Sequence, residues 1–248
     1  MIKVLINGCN GKMGQVVAEE VFKNDDFDVL CGVDRIDTGD NKFPVFTNVS
    51  EIREKPDVII DFSIPIATLN ILEYAKNNNI PVVIATTGFS DEELEKISEY
   101  SKFIPVFRSA NMSYEINLMA QVVAKMATLL RNSDIEIVET HHNRKVDAPS
   151  GTALLLANSI NEALDNSMVY EYDRHSKREK RSKNEIGMHA IRGGNVVGKH
   201  SVLFFSENES FEITHNVTSR SVFADGALKA AKFLINKNPG LYNMKNMF

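Results

Sequence analysis

The chain has 248 residues, 43% hydrophobic and 25% charged, a composition that excludes collagen-like, disordered and disulfide-scaffold classes. A net charge of -5 gives no whole-protein attraction to a phosphate backbone, so nucleic acid is not expected as the main partner. Only Cys9 and Cys31 occur, without CxxC spacing; no signal-like start and no run near the roughly 18 apolar residues of a membrane helix is found, so the expected setting is the cytoplasm, without membrane partner or metal.

Val4, Leu5 and Ile6 read as a short buried strand, and Met13, Val16, Val17 and Val21 then recur at helical spacing. Residues 28–33, 57–61 and 81–85 predict three further strands, with helical segments such as 66–76 between them. Strands alternating with helices imply α/β structure, a Rossmann-type parallel sheet with helices on both faces. The pattern changes at a long apolar-periodic helix over 116–130. Residues 135–139 predict a strand and 153–164 a helix. Residues 188–191, 196–205 and 211–217 predict a meander turning at Gly193-Gly194 and at 206–209. The last helix, around Phe223 to Leu234, is placed to pack back onto the first domain. The expected division is a dinucleotide-binding domain over 1–112, completed by 222–248, and an α+β domain with a mixed or antiparallel sheet over 113–221. The basic stretch 173–183 lacks an apolar face and reads either as a solvated loop or as a mobile flap that attracts an anion.

Gly8, Gly11 and Gly14 fall between the first strand and the first helix, where backbone without Cβ can turn tightly and approach a pyrophosphate at a helix N-terminus. Asn10 precedes Gly11, so the spacing is G-x-x-G-x-x-G instead of G-x-G-x-x-G, and a purely structural turn is the alternative. Asp34 follows about 20 residues after the last glycine, the offset at which an acid accepts hydrogen bonds from ribose hydroxyls. Its neighbour Arg35 suits a 2′-phosphate instead, so both NADH and NADPH are expected as cofactors.

Residues 139–152, ETHHNRKVDAPSGT, join a predicted strand to a predicted helix. His141 and His142 bring groups that titrate near neutral pH, Lys145 a fixed positive charge, and Ser150, Gly151 and Thr152 a helix start with unpaired N–H groups. Such a loop can hold a small carboxylate and move a proton. Each piece alone also suits a surface histidine pair or an ordinary helix start, and it is their concentration in one loop that points to an active site. A metal site at the two histidines lacks further ligands.

That loop resembles the E-x-H-H-x-x-K-x-D-A-P-S-G-T signature of the 4-hydroxy-tetrahydrodipicolinate reductase (dihydrodipicolinate reductase) family. Gly8, Asn10, Gly11, Lys12, Met13 and Gly14 lie in a stretch similar to the family's G-x-x-G-x-M-G turn. Ala85-Thr86-Thr87-Gly88 resembles its G-T-T-G segment, with Ala85 in place of glycine, and Ser109-Ala110-Asn111-Met112-Ser113 resembles its A/S-x-N-x-S segment. Similar segments around Ile186 to Gly194, Ser219-Arg220 and Phe223-Ala224 extend the likeness over nearly the whole chain. The resemblance implies an NAD(P)H-dependent oxidoreductase of diaminopimelate and lysine biosynthesis. It implies a cyclic dicarboxylate substrate and a second domain that binds it and assembles a homotetramer. By the same resemblance His141 is the general acid, Lys145 assists it, and His142, Lys145, Ser150, Gly151 and Thr152 hold the substrate. Ala85, Thr86, Thr87, Ser109, Ala110, Asn111 and Met112 then line the nicotinamide side. The rival readings are another two-domain amino-acid dehydrogenase and a non-catalytic NAD(P)H-sensing protein.

Overall fold

Short aliphatic runs with no exposed side chain dictate the first sheet: Val4, Leu5, Ile6, Val58, Ile59, Ile60, Val82, Val83 and Ile84 are all fully buried. Strands buried on both faces belong to parallel sheets covered by helices. In chain order the elements are β1 (Ile2–Asn7), α1 (Lys12–Phe22), β2 (Phe27–Val33), β3 (Val45–Phe46), β4 (Val58–Asp61), α2 (Pro65–Asn78), β5 (Val82–Ile84), α3 (Asp91–Ser101) and β6 (Pro105–Arg108). Then come α4 (Tyr114–Leu129), β7 (Asp134–His141), α5 (Gly151–Ala163), β8 (Val169–Glu171), β9 (Glu185–Arg192), β10 (Gly198–Phe205) and β11 (Ser210–Val217). The chain closes with α6 (Ser221–Leu234) and β12 (Gly240–Tyr242). This computed structural model describes all 248 residues and divides into two units, Met1–Tyr114 with Arg220–Phe248, and Glu115–Ser219.

The first unit is a seven-stranded sheet in the order β12-β6-β5-β4-β1-β2-β3, with every pair parallel. One apolar cluster joins α1 and α6 to the sheet through Val17, Val21, Ala227, Ala231 and Leu234, and a second joins α2 through Ile71 and Leu72 and α3 through Ile97. Truncating one such residue, Ile60 for example, leaves a cavity that costs about 2–5 kcal/mol. Helix starts follow local chemistry: α3 opens with a Ser90/Glu93 capping box and three acids in its first turn, and α2 has Pro65 at its start. β3, β6 and β12 are too short to stand out by periodicity and were not among the expected strands. Cys9 and Cys31 are free, and burial pushes both thiols up to about 12.

The second unit is a five-stranded mixed sheet in the order β11-β10-β7-β9-β8, one face of which packs on α4 and α5. The expected meander is corrected here. β9 and β10 are not paired with each other; both flank β7, β9 parallel to it and β10 antiparallel. Periodicity identifies strands but carries no information about which neighbours they choose. The 173–183 stretch is the solvated loop expected, exposed along most of its length but tied to the sheet at three basic residues. Arg174 pairs with Glu185 and Lys177 with Glu171, and Arg181 donates to Glu136 at 3.0 Å, to Asp134 at 2.9 Å and to the carbonyls of Ile135 and Glu185. No helix is long and apolar enough to cross a membrane.

Candidate active site

In the first unit β1 lies between β2 and β4, so the strand order changes direction there and the turn after β1 opens at the switch point where α/β sheets bind ligands. Gly8 has φ +81°, and a Cβ on it would lie 2.6 Å from the Phe62 carbonyl oxygen. A Cβ on Gly14 would overlap the Gly8 carbonyl oxygen, so only glycine lets α1 begin this close to the end of β1. Gly11 is the N-cap of α1 and offers no side-chain cap. A Cβ-free cradle at an uncapped helix start fits the pyrophosphate of a dinucleotide. Lys12 and Met13 follow in the first turn of α1, Lys12 exposed and Met13 partly buried.

Asp34 is joined to this turn: one carboxylate oxygen accepts the Asn10 N–H at 2.9 Å and the other the Arg35 N–H at 2.8 Å. The carboxylate keeps further lone pairs for hydroxyl donors. Asn10 uses its side chain inside the protein, donating to the Ile36 carbonyl and accepting from Asn41, each at 2.8 Å. It thereby ties the turn to the chain after β2. Arg35 is exposed.

The other expected cofactor residues of this unit divide by burial. Ala85 is partly buried, and Thr87 and Ala110 are exposed. Thr86 is buried and its hydroxyl accepts the Ser63 N–H at 2.8 Å. Ser109 donates to the Asn111 carbonyl at 2.7 Å, and the Asn111 side chain accepts the Ser113 N–H at 2.9 Å. Met112 is in the core. Sequence reasoning missed Asp61, fully buried at the end of β4, which accepts from Asn7 at 2.7 Å, from Thr68 at 2.6 Å and from Ser63. Burial pushes its carboxyl above the usual range against the pull of these donors. An acid closing a wholly apolar strand was the available signal.

In the second unit the buried row of β7 reads Ile135, Ile137, Glu139, His141, so an apolar core gives way to ionisable groups at the strand end. Register completes the cluster: Arg192 of β9 pairs with His141, and His200 of β10 pairs with Glu139. Glu139 is 1% exposed and saturated by donors. It accepts two bonds from the Arg192 guanidinium, both at 2.7 Å, the Ser150 N–H at 3.0 Å and His141 Nδ1 at 2.6 Å. Burial alone would raise its pKa, but Arg192, His141 and the Ser150 N–H outweigh it and hold the carboxyl below its ordinary value. The Arg192 guanidinium is held above its ordinary value, first by the Glu139 hydrogen bonds.

Ser150 is the N-cap of α5: its Oγ accepts the Ala153 N–H at 3.1 Å, and it lies 3.0 Å from His200 Nε2. Burial pushes His200 down to about 4, so it is neutral near pH 7. Its ring centroid is 5.1 Å from that of His141. A Cβ on Gly198 would lie 3.1 Å from His141 Nε2, so the missing side chain leaves room at that nitrogen. Lys145 pairs with Asp147 at 2.8 Å, and its N–H donates to the His142 carbonyl at 3.1 Å. His142 is partly buried, while Gly151 and Thr152 start α5. The structure thus brings His141 and Ser150 together through Glu139 and places Lys145 on the same loop with a partner of its own. Glu139, Arg192, Gly198 and His200 were not among the expected site residues.

Comparison with known proteins is consistent over the full length. The family model described as dihydrodipicolinate reductase, N-terminus, matches residues 2–112, and that described as dihydrodipicolinate reductase, C-terminus, matches residues 115–248. A 4-hydroxy-tetrahydrodipicolinate reductase of Caldanaerobacter subterraneus subsp. tengcongensis is 52% identical over 247 residues, covering 100% of this chain and 98% of that protein. One from Clostridium novyi is 48% identical over 248 residues, with 100% and 98% covered. Among solved structures, a dipicolinate-bound dihydrodipicolinate reductase from Paenisporosarcina sp. TG-14 superposes with TM-score 0.85 at 27% identity, covering 100% of both chains. A myo-inositol dehydrogenase from Corynebacterium glutamicum, 14% identical with TM-score 0.60 over 97% of this chain and 90% of that one, shares the fold alone. With both family models matched end to end and relatives near half identity across the whole length, the chain belongs to the dihydrodipicolinate reductase family.

Proposed function

We propose that this protein carries out the NAD(P)H-dependent reduction of 4-hydroxy-tetrahydrodipicolinate to tetrahydrodipicolinate in diaminopimelate and lysine biosynthesis. The observation that carries the reading is the Glu139–His141 pair, held by Arg192 beside the Ser150 start of α5, in a chain of this family. The reduced nicotinamide supplies the hydride when bound. Loss of the substrate hydroxyl as water precedes that transfer, and hydride arriving at C4 leaves negative charge on the conjugated ring, which an acid must discharge. His141 is that acid: its Nδ1 is occupied by Glu139 and its Nε2 faces the gap at Gly198. Lys145 offsets a substrate carboxylate and assists proton transfer, exchanging Asp147 for the ligand. His142, Ser150 and the N–H groups at Gly151 and Thr152 hold the rest of the dicarboxylate.

Gly8, Asn10, Gly11, Lys12, Met13 and Gly14 would hold the pyrophosphate, Asp34 and Arg35 the adenosine ribose end, and the 85–87 and 109–112 segments the nicotinamide end. The bonds Asn10 and Thr86 make inside the protein, and the burial of Met112 in the core, favour backbone or shape contacts from those three. The remaining assignments are a cytoplasmic setting and a homotetramer built by the second unit. Val138, Ile191, Leu203 and Phe205 alternate with the buried rows of their strands and so lie on the sheet face turned away from α4 and α5, a surface suited to burial against another copy. Sedimentation that returned only monomer would remove the tetramer.

The direct test of the reaction generates the unstable substrate in place with a coupling enzyme and follows loss of reduced cofactor. Substrate-dependent oxidation of both NADH and NADPH is expected. No oxidation with either would overturn the function, and a preference beyond about a thousandfold for one would overturn the dual use.

A further inference from the structure

The proposed acid stands at the end of a charge relay contributed by two strands. Glu139 bonds the His141 ring directly at 2.6 Å through Oε2, while both oxygens of the same carboxylate, Oε2 included, are clamped by the terminal nitrogens of Arg192 at 2.7 Å. An anion bonded to one ring nitrogen does two things. It selects Nδ1 as the inward N–H, so that Nε2 carries the proton to be donated, and it stabilises the charged ring. Left alone, a buried carboxylate would hold that proton tightly. A cation forked onto the carboxylate weakens this hold and allows release.

We infer that Glu139 and Arg192 are an opposed pair of positioning residues for His141, Glu139 orienting and charging the ring and Arg192 limiting how far that charging goes. The inference rests on the reading of His141 as the acid. Arg192 also donates to the Asp147 carbonyl at 2.6 Å and to the Ile191 carbonyl at 2.8 Å, so it fixes the loop that carries Lys145 as well. The Ser150 N–H on Glu139 joins the acid to the start of α5 in the same way. A slip of one residue in either strand pairing would turn Arg192 or His200 to the opposite face.

Other ionisable groups also face the ring. His200 from β10 lies edge to face with it and is neutral, and Lys145 on the loop is paired with Asp147. His142 follows directly in the chain. Farther out, burial lowers His215 of β11, opposed by Glu115 of α4.

Three variants separate opposed charge effects from simple loss of structure. In Glu139→Gln the amide oxygen still accepts the Ser150 N–H, but the anion is gone and the Arg192 cation remains. In Arg192→Met the anion acts alone. The double variant Glu139→Gln/Arg192→Met has neither charge and leaves no unpaired buried ion. The measurements are the pH dependence of kcat, in which activity falls on the alkaline side as the acid loses its proton, and the NMR titration of the His141 ring in each protein.

Glu139→Gln is expected to lower kcat at least about tenfold. It should also move the alkaline limb, and with it the ring titration, to lower pH by about one unit. Arg192→Met should move both to higher pH, and the double variant should fall between the two single variants. Should Arg192→Met not fold, the double variant against Glu139→Gln decides the matter alone, since removing the cation must still move the limb upward. Displacement of both single variants in the same direction, or no displacement in folded variants, overturns the inference. The ladder is distinct from the function itself: if His141→Gln keeps the wild-type rate, the acid assignment fails whatever the ring titrations do.

Discussion

The glycine turn of the first unit and the acid cluster of the second are built from different materials. The turn is made of neighbours: Gly8, Gly11 and Gly14 meet one another's backbone within a single strand-to-helix connection, and a Cβ on Gly14 would strike the Gly8 carbonyl oxygen. The cluster is made of strangers. Its central carboxylate sits on β7, its cation on β9, its second imidazole on β10 and its helix cap at the start of α5. The first depends on the absence of side chains and the second on their mutual saturation. Backbone geometry can therefore be damaged by adding one methyl group, whereas the cluster is damaged by removing one charge.

The largest expected effect falls on the cluster. His141→Gln should lower kcat by about 10²–10⁴, the range for losing a general acid, with little change in KM. Steady-state kinetics with the coupled substrate supply checks this, and an equal loss in both constants would shift the residue from chemistry to binding.

Next comes pH. His200 in the folded protein is pushed down to about 4, while the unfolded chain takes up its proton near the ordinary value of about 6.5. Its contribution to stability is whole above that ordinary value and is lost as pH falls toward the folded value, at about 1.4 kcal/mol per pH unit. Urea unfolding at a series of pH values should show that slope in the wild type and a flatter one in His200→Gln. Identical slopes would mean that the ring is not held neutral in the fold.

The turn comes third. Gly14→Ala should cost about 1–3 kcal/mol through enforced backbone shifts and should weaken nucleotide binding together with stability. Calorimetry and nucleotide titration read the two losses, and a variant unchanged in both would show that the close approach at Gly14 is dispensable. The smallest effect is expected for Ser150→Ala, about 1 kcal/mol, because it removes a helix cap while leaving the Ser150 N–H on Glu139. A loss far above that would assign the Ser150–His200 contact more weight than the cap.

Legibility in the sequence follows the same division. The apolar runs of β1, β4 and β5 and the glycines after β1 predict a parallel sheet with a phosphate-type turn, because period and spacing are local properties. The short β3, β6 and β12 escaped, being held by neighbours more than by pattern. In the second unit the longer strands were recognisable while the three-residue β8 and the choice of partners were not, and the meander failed because β7 inserts between β9 and β10. The loop bearing His141, Lys145 and Ser150 stood out by its concentration of chemical groups. Nothing local identified Arg192 or His200 as companions of Glu139, and nothing local showed that the basic 173–183 stretch is tied down by Glu136, Asp134, Glu171 and Glu185.

By itself the amino-acid order determined the α/β class, the place of the turn and the identity of the loop with the paired histidines, since each depends on residues adjacent in the chain. Tertiary structure alone decided what surrounds those histidines. Ion pairing and burial act through space, and only strand register brings Arg192, Gly198 and His200 within reach of Glu139 and His141.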